Sequence, residues 1–157
     1  MTKREAQKLD LPALLELYKH LEVDPIPEVN ERSSAIWEEI LSDKNHHVLL
    51  IEDKFPSVEG CPKGGVVAVA TCVLLIVPNL TRNARPYALI ENVVTHPDAR
   101  KKGYGKAVLD YAKEIAIAHN CYKIMLMTSR KDEATLRFYE NCGYNCTDKT
   151  AFIHWLS

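Results

Sequence analysis

The sequence predicts a mixed α/β fold in which a mostly antiparallel sheet ends in one parallel pair of strands. Residues 89–95 and 123–127 are continuous apolar runs, which are typical of buried strands. Between them, an apolar stripe at helical spacing predicts an amphipathic helix. Two buried strands joined by a crossover helix should be parallel neighbours with a right-handed connection, whereas the earlier strands should pair antiparallel.

The first two helices are predicted near the start of the chain. The first should begin at Asp10, a candidate capping carboxylate, with Pro12 in its first turn. Its buried face would hold Leu11, Leu14, Leu15, Tyr18 and Leu21. Residues 23–30 contain two prolines and predict a loop, and a second helix should begin near Ser33 or Ser34. That helix would bury Ile36, Trp37, Ile40 and Leu41.

The remaining predicted elements are strands at residues 47–52 and 66–77, a short helix at 133–141 and a last strand at 151–155. Residues 55–65 hold two prolines and three glycines and predict a hairpin loop that is longer than usual. Residues 78–86 predict the next loop.

Composition and charge fit one globular domain that spans residues 1–157. Hydrophobic residues make up 46% and charged residues 26% of the chain, and the length allows a core that is stable unaided. The formal net charge of −1 gives no general attraction to nucleic acid or to an anionic membrane. We therefore expect neither as a partner, and any anion binding must come from local clusters.

Cysteine and histidine usage points to a protein without disulfides or metal. Five cysteines, an odd number without a CxxC pair, indicate reduced thiols and predict a cytoplasmic location. The six histidines show no metal-ligand spacing with one another or with cysteine. No apolar run reaches the roughly 18 residues of a membrane span.

The segment between the first parallel strand and its helix has the features of an anion site. Three consecutive cations, Arg100, Lys101 and Lys102, precede Gly103 and Gly105 at the predicted helix start. A helix N-terminus has unpaired N–H donors and about half a unit of positive charge, and glycines let the donors face outward. The pattern predicts a phosphate cradle, although a solvated basic turn would have the same composition.

Two motifs resemble a known family. Arg100-x-x-Gly103-x-Gly105 resembles the acetyl-coenzyme A loop of the GNAT superfamily of N-acetyltransferases. Residues 136–144, with Tyr139 inside them, resemble that superfamily's apolar-Tyr-x-x-x-Gly-aromatic signature. The resemblance covers residues 90–144 and implies a GNAT-like fold, with helices on both faces of the sheet and acetyl-coenzyme A as cosubstrate. The cofactor-binding residues that it implies are Val93, Val94, Arg100, Lys101, Lys102, Gly103, Tyr104, Gly105 and Lys106.

Other phosphate-binding loops match less well. A dinucleotide-binding loop would want Gly or Ala where this chain has Val108, and an acid at the end of the next strand. Residues 128–130 hold no acid, although Arg130 could suit a 2′-phosphate, which leaves NADP open. A Walker loop is excluded because Ala107 follows Lys106.

Tyr139 is the first candidate catalytic residue. The resemblance implies that it protonates the leaving coenzyme A thiolate. A phenol has a pKa of about 10 and a thiol of about 8.5, so full proton transfer is uphill by about 2 kcal/mol. A hydrogen bond to the developing thiolate is therefore the safer role. The alternative is an amphipathic ring that packs beside Phe138.

Glu91 is the second candidate, because it interrupts an apolar strand. Burial of an unpaired carboxylate is costly and raises its pKa, which suits a general base near neutral pH. The superfamily often has Glu here, acting on the acceptor amine. The alternative is an ion pair with an arginine across the sheet. In a regular strand Asn92 points to the opposite face, and the resemblance implies that a backbone N–H near Val93 or Val94 stabilises the oxyanion.

Two places depart from the superfamily pattern. The superfamily often has Asn seven residues before the tyrosine and Ala four before it, where this chain has Asp132 and Thr135. An ionised Asp cannot donate a hydrogen bond, which puts one contact to the cofactor arm in doubt.

Residues 90–94 and 120–124 also resemble stretches of the glucosamine 6-phosphate N-acetyltransferases, which have Asp in place of Asn92. That likeness hints at an amino sugar. Loop cations that could meet an anionic acceptor, or remain solvated, are Arg82, Arg85 and Arg130.

The sequence therefore predicts an N-acetyltransferase that moves acetyl from acetyl-coenzyme A directly to a primary amine of a small molecule, with an amino sugar as one candidate. Direct transfer needs no nucleophilic side chain. The alternatives are a non-catalytic acyl-coenzyme A-binding or dimerising module of the same fold, and a nicotinamide-dependent enzyme. A homodimer is compatible with the sequence. Glu91 and Tyr139 favour the enzyme over the binding module.

Overall fold

A computed structural model describes residues 1–21, 25–54 and 65–156. The chain forms two compact units, the first from Met1 to Met125 and the second from Leu126 onward. The predicted hairpin loop at 55–65 lies outside the described residues except for its last glycine.

Within the described ranges, the sheet has five strands that follow one another in chain order. They are β1 (Thr2–Glu5), β2 (His46–Lys54), β3 (Val66–Val77), β4 (Tyr87–Thr95) and β5 (Ile124–Leu126). The pairs from β1 to β4 are antiparallel, and β4 and β5 form the one parallel pair. The predicted mixed α/β fold with a mostly antiparallel sheet is therefore confirmed.

The described residues form five α-helices, of which four lie between strands and the last follows β5. They are α1 (Leu11–Tyr18), α2 (Glu31–Ser42), α3 (Thr81–Ala84), α4 (Tyr104–Ala118) and α5 (Glu133–Asn141). The element α3 is a single turn whose residues 82–84 have left-handed backbone angles. Helix α4 is the predicted crossover between the two parallel strands.

Both faces of the central strands are covered, which explains why β3 is apolar throughout. Val73 lies in a buried cluster with residues of α1 and with Trp37 of α2. The preceding residue of the strand, Cys72, faces the other way, and its Sγ lies 3.9 Å from the carbonyl oxygen of Val108 in α4. Since successive side chains alternate across a strand, two helical layers bury the two faces.

Strand β1 was not predicted, because its sequence is polar. Arg4 holds it in place with a bidentate contact to Asp10 at 2.6 and 2.8 Å and a further contact to Glu52 at 2.5 Å. Asp10 also accepts from the Gln7 N–H at 2.6 Å, so its carboxylate does not cap α1 as predicted. The cap is replaced by an ion pair that joins β1, β2 and the start of α1.

Helix α2 begins earlier than Ser33 or Ser34, the predicted starts. Asn30 is the cap, and its side chain accepts from the Ser33 N–H at 3.0 Å, while the Ser33 hydroxyl accepts from the Asn30 N–H at 2.9 Å. This reciprocal capping fixes the start at Glu31. Of the residues predicted to be buried in this helix, Trp37 is buried, whereas Ile36 and Leu41 are exposed.

The prediction of a last strand at 151–155 is wrong, because residues 145–156 contain no helix or strand. Phe152 and Trp155 are 92% and 86% exposed. Apolar residues favour a strand, but a strand also needs a hydrogen-bonding neighbour, which the local sequence does not specify.

Candidate active site

The loop that follows β4 is braced by its own polar groups. His96 accepts the Asp98 N–H through Nδ1 at 3.3 Å and begins a short 3₁₀ turn, Pro97–Ala99. Arg100 donates from Nε to the carbonyl oxygen of Thr95 at 3.3 Å, and Lys102 donates from Nζ to the carbonyl oxygen of Asp98 at 2.9 Å. Two of the predicted cofactor-binding cations therefore also hold the loop in shape.

The N-terminus of α4 has the donors that an anion needs. Gly103 is the residue before the helix, with φ of +87°, and no side chain caps the first turn. The first N–H bonded back into the helix is that of Ala107, to the carbonyl oxygen of Gly103 at 2.9 Å. The N–H groups of Tyr104, Gly105 and Lys106 precede that bond and have no acceptor within the helix. Donors of this kind are what the predicted cradle requires.

Gly103 is required for its backbone angle. A Cβ at this position would meet no other atom within 4 Å, so space does not exclude a side chain. The left-handed φ of Gly103 disfavours a side chain, because this backbone angle is strained for residues other than glycine. Lys101 has φ of +60°, so two residues of this loop turn the chain in the left-handed sense.

Tyr104 joins this helix start to β2. Its hydroxyl donates to Asp53 Oδ2 at 2.9 Å, and its side chain is buried. The Tyr104 hydrogen bond lowers the pKa of the Asp53 carboxyl, and the same bond raises the pKa of the phenol. The side chain of Tyr104 is therefore an anchor, and only its backbone N–H is available to the predicted anion site.

Strand β4 carries a bulge where the sequence predicted regular alternation. Thr71 pairs with Val94 and Val73 pairs with Glu91, so two steps along β3 correspond to three along β4. Asn92 lies in the extra step with a left-handed φ of +51°. Asn92 therefore does not follow the alternation of a regular strand, which was the condition for the prediction that it points to the opposite face. A bulge of this kind leaves residues out of the ladder and redirects their backbone groups.

Glu91 is the last residue of β4 before the bulge. It is half-buried, and burial raises the pKa of its carboxyl. Within the described part of the chain its carboxylate has no ion pair or hydrogen bond, so the predicted arginine partner is not found there. A partly desolvated carboxylate without a cation is suited to take up a proton.

The two residues predicted to offer the oxyanion donor follow directly. Val94 is buried at 5% exposure and Val93 is half-buried, so both side chains pack while their backbone groups lie at the bulge. Asn92 and Val93 fall between the paired residues of the two strands. The bulge thus provides a physical reason for backbone N–H groups at this point to be left without a strand partner.

Tyr18 is a residue near this bulge that the sequence assigned only to a buried helix face. It ends α1 and packs against the buried cluster. Burial raises the pKa of its hydroxyl to about 12, and the Asn92 side chain opposes this rise.

In the second unit, Tyr139 lies in the last turn of α5, where the helix ends in a Schellman motif. Gly143, with φ of +89°, donates its N–H to the carbonyl oxygen of Glu140 at 2.9 Å. Tyr144 donates its N–H to the carbonyl oxygen of Tyr139 at 3.1 Å. The rings of Tyr139 and Tyr144 meet edge to face at 6.3 Å, and Phe138 lies 5.1 Å from Tyr139. The Tyr-x-x-x-Gly-Tyr spacing of the sequence is therefore the spacing that this kind of helix end requires.

The two departures from the superfamily pattern form the other end of α5. Asp132 accepts from the N–H and from the hydroxyl of Thr135, both at 2.9 Å. These bonds lower the pKa of the Asp132 carboxyl. Asp132 and Thr135 thus act together as a helix cap, which is a structural reason for both residues.

The loop arginines have local partners. Arg85 donates from Nε and Nη2 to the carbonyl oxygens of Asn120 and Cys121, both at 3.2 Å. The Arg82 guanidinium lies 5.8 Å from the centre of the Tyr122 ring. Arg130 donates its backbone N–H to the Thr128 hydroxyl at 3.2 Å.

Two cysteines of the first unit, Cys72 and Cys121, are not activated thiols. Burial raises the pKa of Cys72 to about 12 and also raises the pKa of Cys121, so neither is activated as a thiolate. No group of three His, Cys, Asp or Glu residues that could hold a metal ion is found among the described residues. None of the described helices has the length and apolar character to cross a membrane.

A sequence profile of the acetyltransferase (GNAT) family matches residues 14–144. The chain belongs to the GNAT family. A glucosamine 6-phosphate N-acetyltransferase of Trypanosoma brucei brucei is 32% identical to this GNAT protein over 147 residues, which cover 93% of this chain and 90% of the relative. The Arabidopsis thaliana protein of the same name is 31% identical over 114 residues, which cover 73% and 69% of the two chains.

Solved structures agree with this assignment. A protein of Agrobacterium tumefaciens strain C58 described as an acetyltransferase superposes with a TM-score of 0.84 at 42% identity, covering 99% of this chain and 100% of the other. The glucosamine-6-phosphate N-acetyltransferase of Arabidopsis thaliana superposes with a TM-score of 0.77 at 25% identity, covering 98% and 97%. The predicted GNAT-like fold is therefore confirmed.

GNAT acetyltransferases use acetyl-coenzyme A, and the residues present fit its pyrophosphate. The uncapped N–H groups at the start of α4 supply donors, and Gly103 supplies the turn that exposes them. Arg100 and Lys101 place positive charge on the same exposed loop. The first unit of this GNAT protein thus has the donors, the turn and the charge that an anionic cosubstrate requires.

Proposed function

We propose that the protein is an N-acetyltransferase that moves acetyl from acetyl-coenzyme A directly to a primary amine of a small molecule. The observation that carries the proposal is the bulge of β4 at Asn92. It comes directly after Glu91, which is half-buried and has no ion pair or hydrogen bond within the described part of the chain. On the same stretch of chain, the uncapped N-terminus of α4 follows within the strand–loop–helix unit.

The cradle of Tyr104, Gly105 and Lys106 N–H groups would hold the pyrophosphate, with Arg100, Lys101 and Lys102 adding charge around it. The acetyl carbonyl oxygen would lie at the backbone N–H of Val93 or Val94. Such preorganised donors stabilise the negative charge that develops on a carbonyl oxygen during acyl transfer.

Glu91 would act as the general base. The amine nitrogen forms a bond to the acetyl carbon, the carbon–sulfur bond breaks, and the proton lost from the amine goes to the Glu91 carboxylate. Burial raises the pKa of Glu91, which improves the match between this base and a protonated amine. The role of Tyr139 as a hydrogen-bond donor to the departing thiolate stays a prediction from the sequence.

The acceptor class that we propose is an amino sugar. Two relatives support this class, since the proteins of Trypanosoma brucei brucei and Arabidopsis thaliana are named as glucosamine 6-phosphate N-acetyltransferases. Both match this chain over most of its length. Asn92 is where this chain differs from the Asp that we expect in such enzymes. Because Asn is uncharged, this chain has one carboxylate fewer beside Glu91, and the acceptor can differ accordingly.

A panel of amines tests the proposal. Amino sugars with and without a phosphate, amino acids and polyamines are mixed with acetyl-coenzyme A, and free thiol is measured against time. Amine-dependent thiol release supports transfer, and the ranking of acceptors names the class. If coenzyme A binds in calorimetry but no amine accelerates thiol release, the chain is an acyl-coenzyme A-binding module instead.

A further inference from the structure

We infer that His20 and His96 form a proton-linked pair that strengthens anion binding at the loop between β4 and α4 when His20 carries a proton. The inference rests on the proposed function, because the anion is the coenzyme A pyrophosphate that this loop would hold. It adds a regulatory property, namely that coenzyme A is bound more tightly as the pH falls through the titration of His20. Neither histidine lies in the two motifs that resemble the GNAT superfamily.

The imidazole rings of His20 and His96 lie against each other. Their centres are 4.8 Å apart and their planes meet at 82°, which is an edge-to-face arrangement. His20 comes two residues after the end of α1, and its N–H donates to the carbonyl oxygen of Leu17 at 3.0 Å. His96 directly follows β4, and its N–H donates to the carbonyl oxygen of Val69 in β3 at 2.9 Å. Backbone bonds on both sides therefore hold the two rings at the point where β4 leads into the loop.

The hydrogen bond of the His96 ring decides which member of the pair takes the proton. Its Nδ1 accepts the Asp98 N–H at 3.3 Å, so Nδ1 carries no hydrogen and the ring proton is on Nε2. Protonation of Nδ1 would break this bond, which begins the 3₁₀ turn of the loop. His20 lies at the C-terminal end of α1, where the helix dipole favours a positive charge. Because two like charges at this separation repel, the pair takes up one proton, and His20 is the member that receives it.

The charges around His20 come from α1 and from the loop. Arg100 donates from Nε to the backbone carbonyl that precedes His96 at 3.3 Å, so its guanidinium lies where the loop begins. Burial lowers the pKa of His20, and so do the neighbouring His96 and Arg100. Glu16 on α1 and Asp98 on the loop act in the opposite direction. An anion bound beside Arg100 offsets its positive charge and favours the charged form of His20, and by reciprocity a proton on His20 favours the anion equally.

The pH dependence of binding is measured with dephospho-coenzyme A, which lacks the 3′-phosphate. Its pyrophosphate keeps both charges over the range in which histidine titrates, about pH 5 to pH 8, so the ligand itself neither gains nor loses a proton there. Charges within a Debye length of one another interact modestly at physiological salt, so the wild type should bind about threefold more tightly at about pH 5.5 than at about pH 7.5. Calorimetry in two buffers of different ionisation enthalpy should show net proton uptake on binding.

His20→Asn removes the titrating group and should abolish both the proton uptake and the pH dependence of binding. His96→Asn keeps an acceptor for the Asp98 N–H but removes the second imidazole, so the pH dependence should remain and shift to higher pH. His119→Asn is the matched control, because it removes a histidine at the far end of α4 whose ring contacts that of His47 at a centre distance of 5.3 Å. Proton uptake that survives in His20→Asn, or that is equally lost in His119→Asn, would overturn the inference.

NMR titration of the wild-type imidazoles separates this inference from the proposed function. The His20 ring, assigned by the signal that is missing in His20→Asn, should titrate at higher pH in the complex with dephospho-coenzyme A than in the free protein. An equal midpoint in both states, or no binding of this ligand, would refute the link. If the wild type takes up the proton but acetylates no amine, the proposed function fails and the inference about the pair stands. If amines are acetylated without proton uptake on binding, the inference fails and the proposed function stands.

Discussion

Replacing Glu91 by Gln is the sharpest test of the proposed base. Glutamine keeps the size of the side chain and removes the basic site. Glu91 is the one carboxylate between Tyr87 and Thr95, so no neighbour on β4 can replace it. A positioned general base contributes about 10²- to 10⁴-fold to the rate, and we expect the variant to lose activity within that range at neutral pH.

The pH dependence adds a second expectation. In the wild type, the rate at low acceptor concentration should rise with pH through the raised pKa of Glu91 or the pKa of the amine. In the variant, the rate should depend on pH only through the fraction of the amine that is unprotonated. An amine with a pKa near 8 is about 10% deprotonated at pH 7 and about 90% at pH 9, so the variant should recover about tenfold over that interval.

Stability gives an independent check. Burial raises the folded-state pKa of Glu91, so folding favours its protonated form. The contribution of Glu91 to stability is therefore full below its unfolded-state pKa and is lost as the pH rises through the raised pKa. Glu91→Gln should then be at least as stable as the wild type at neutral pH, with the difference vanishing in acid.

The assay is initial thiol release at saturating acetyl-coenzyme A between about pH 6 and pH 9. Glu114→Gln, an exposed glutamate of α4 that pairs with Lys3, is the control. Wild-type rates for Glu91→Gln at neutral pH would refute the role of base. A large fall in melting temperature would mean that Glu91 supports the fold through a charge partner.

Three further expectations follow from the site and its supports. Gly105→Val should weaken coenzyme A binding at least tenfold in calorimetry, because a side chain would stand at the cradle. Equal affinity of variant and wild type would mean that the loop is not part of the site. Gly103→Ala is the comparison, because there the backbone strain changes rather than the size of a side chain at the cradle. Tyr139→Phe should lower kcat by about 10²-fold with little change in acetyl-coenzyme A affinity if its hydroxyl acts only on the developing thiolate, whereas unchanged turnover would leave it a packing role. Arg4→Ala should cost about 1–3 kcal/mol of unfolding free energy in urea, since it leaves partly buried carboxylates unpaired. Because Arg4 lowers the pKa of Asp10, that cost should be full above about pH 4 and shrink as the pH falls through the lowered pKa; a cost independent of pH would contradict the ion pair.

The sequence predicts those parts of the fold that depend on periodicity. The bounds of β3 and α5 agree with the prediction, because each has an apolar pattern with clear stops at both ends. Strand β1 gives no such signal, since an edge strand with one exposed side can be polar. Its place is set by the contacts of Arg4 with Asp10 and Glu52, which lie far apart in the chain.

The same distinction holds for the candidate site. The glycine loop and Glu91 can be recognised from the local sequence, the loop by its glycine pattern and Glu91 as a charge in an apolar run. The bulge at Asn92 cannot be recognised in this way, because its left-handed angle depends on how β4 pairs with β3, which the local sequence does not specify. An asparagine inside a β-branched run is the one local hint, since Asn tolerates that angle better than its neighbours do.

The end of α5 has a consequence for how this family's second signature is understood. Gly143 and Tyr144 terminate the helix by returning their N–H groups to the carbonyl oxygens of Glu140 and Tyr139. A chain that had lost all catalysis would still need this glycine, and an apolar ring after it, to stop the helix at the same residue. The spacing therefore follows from the geometry of the helix end, and the proposed chemistry rests on the phenolic oxygen of Tyr139 alone. Phenylalanine at position 139 would lack that oxygen and would keep every other part of the signature.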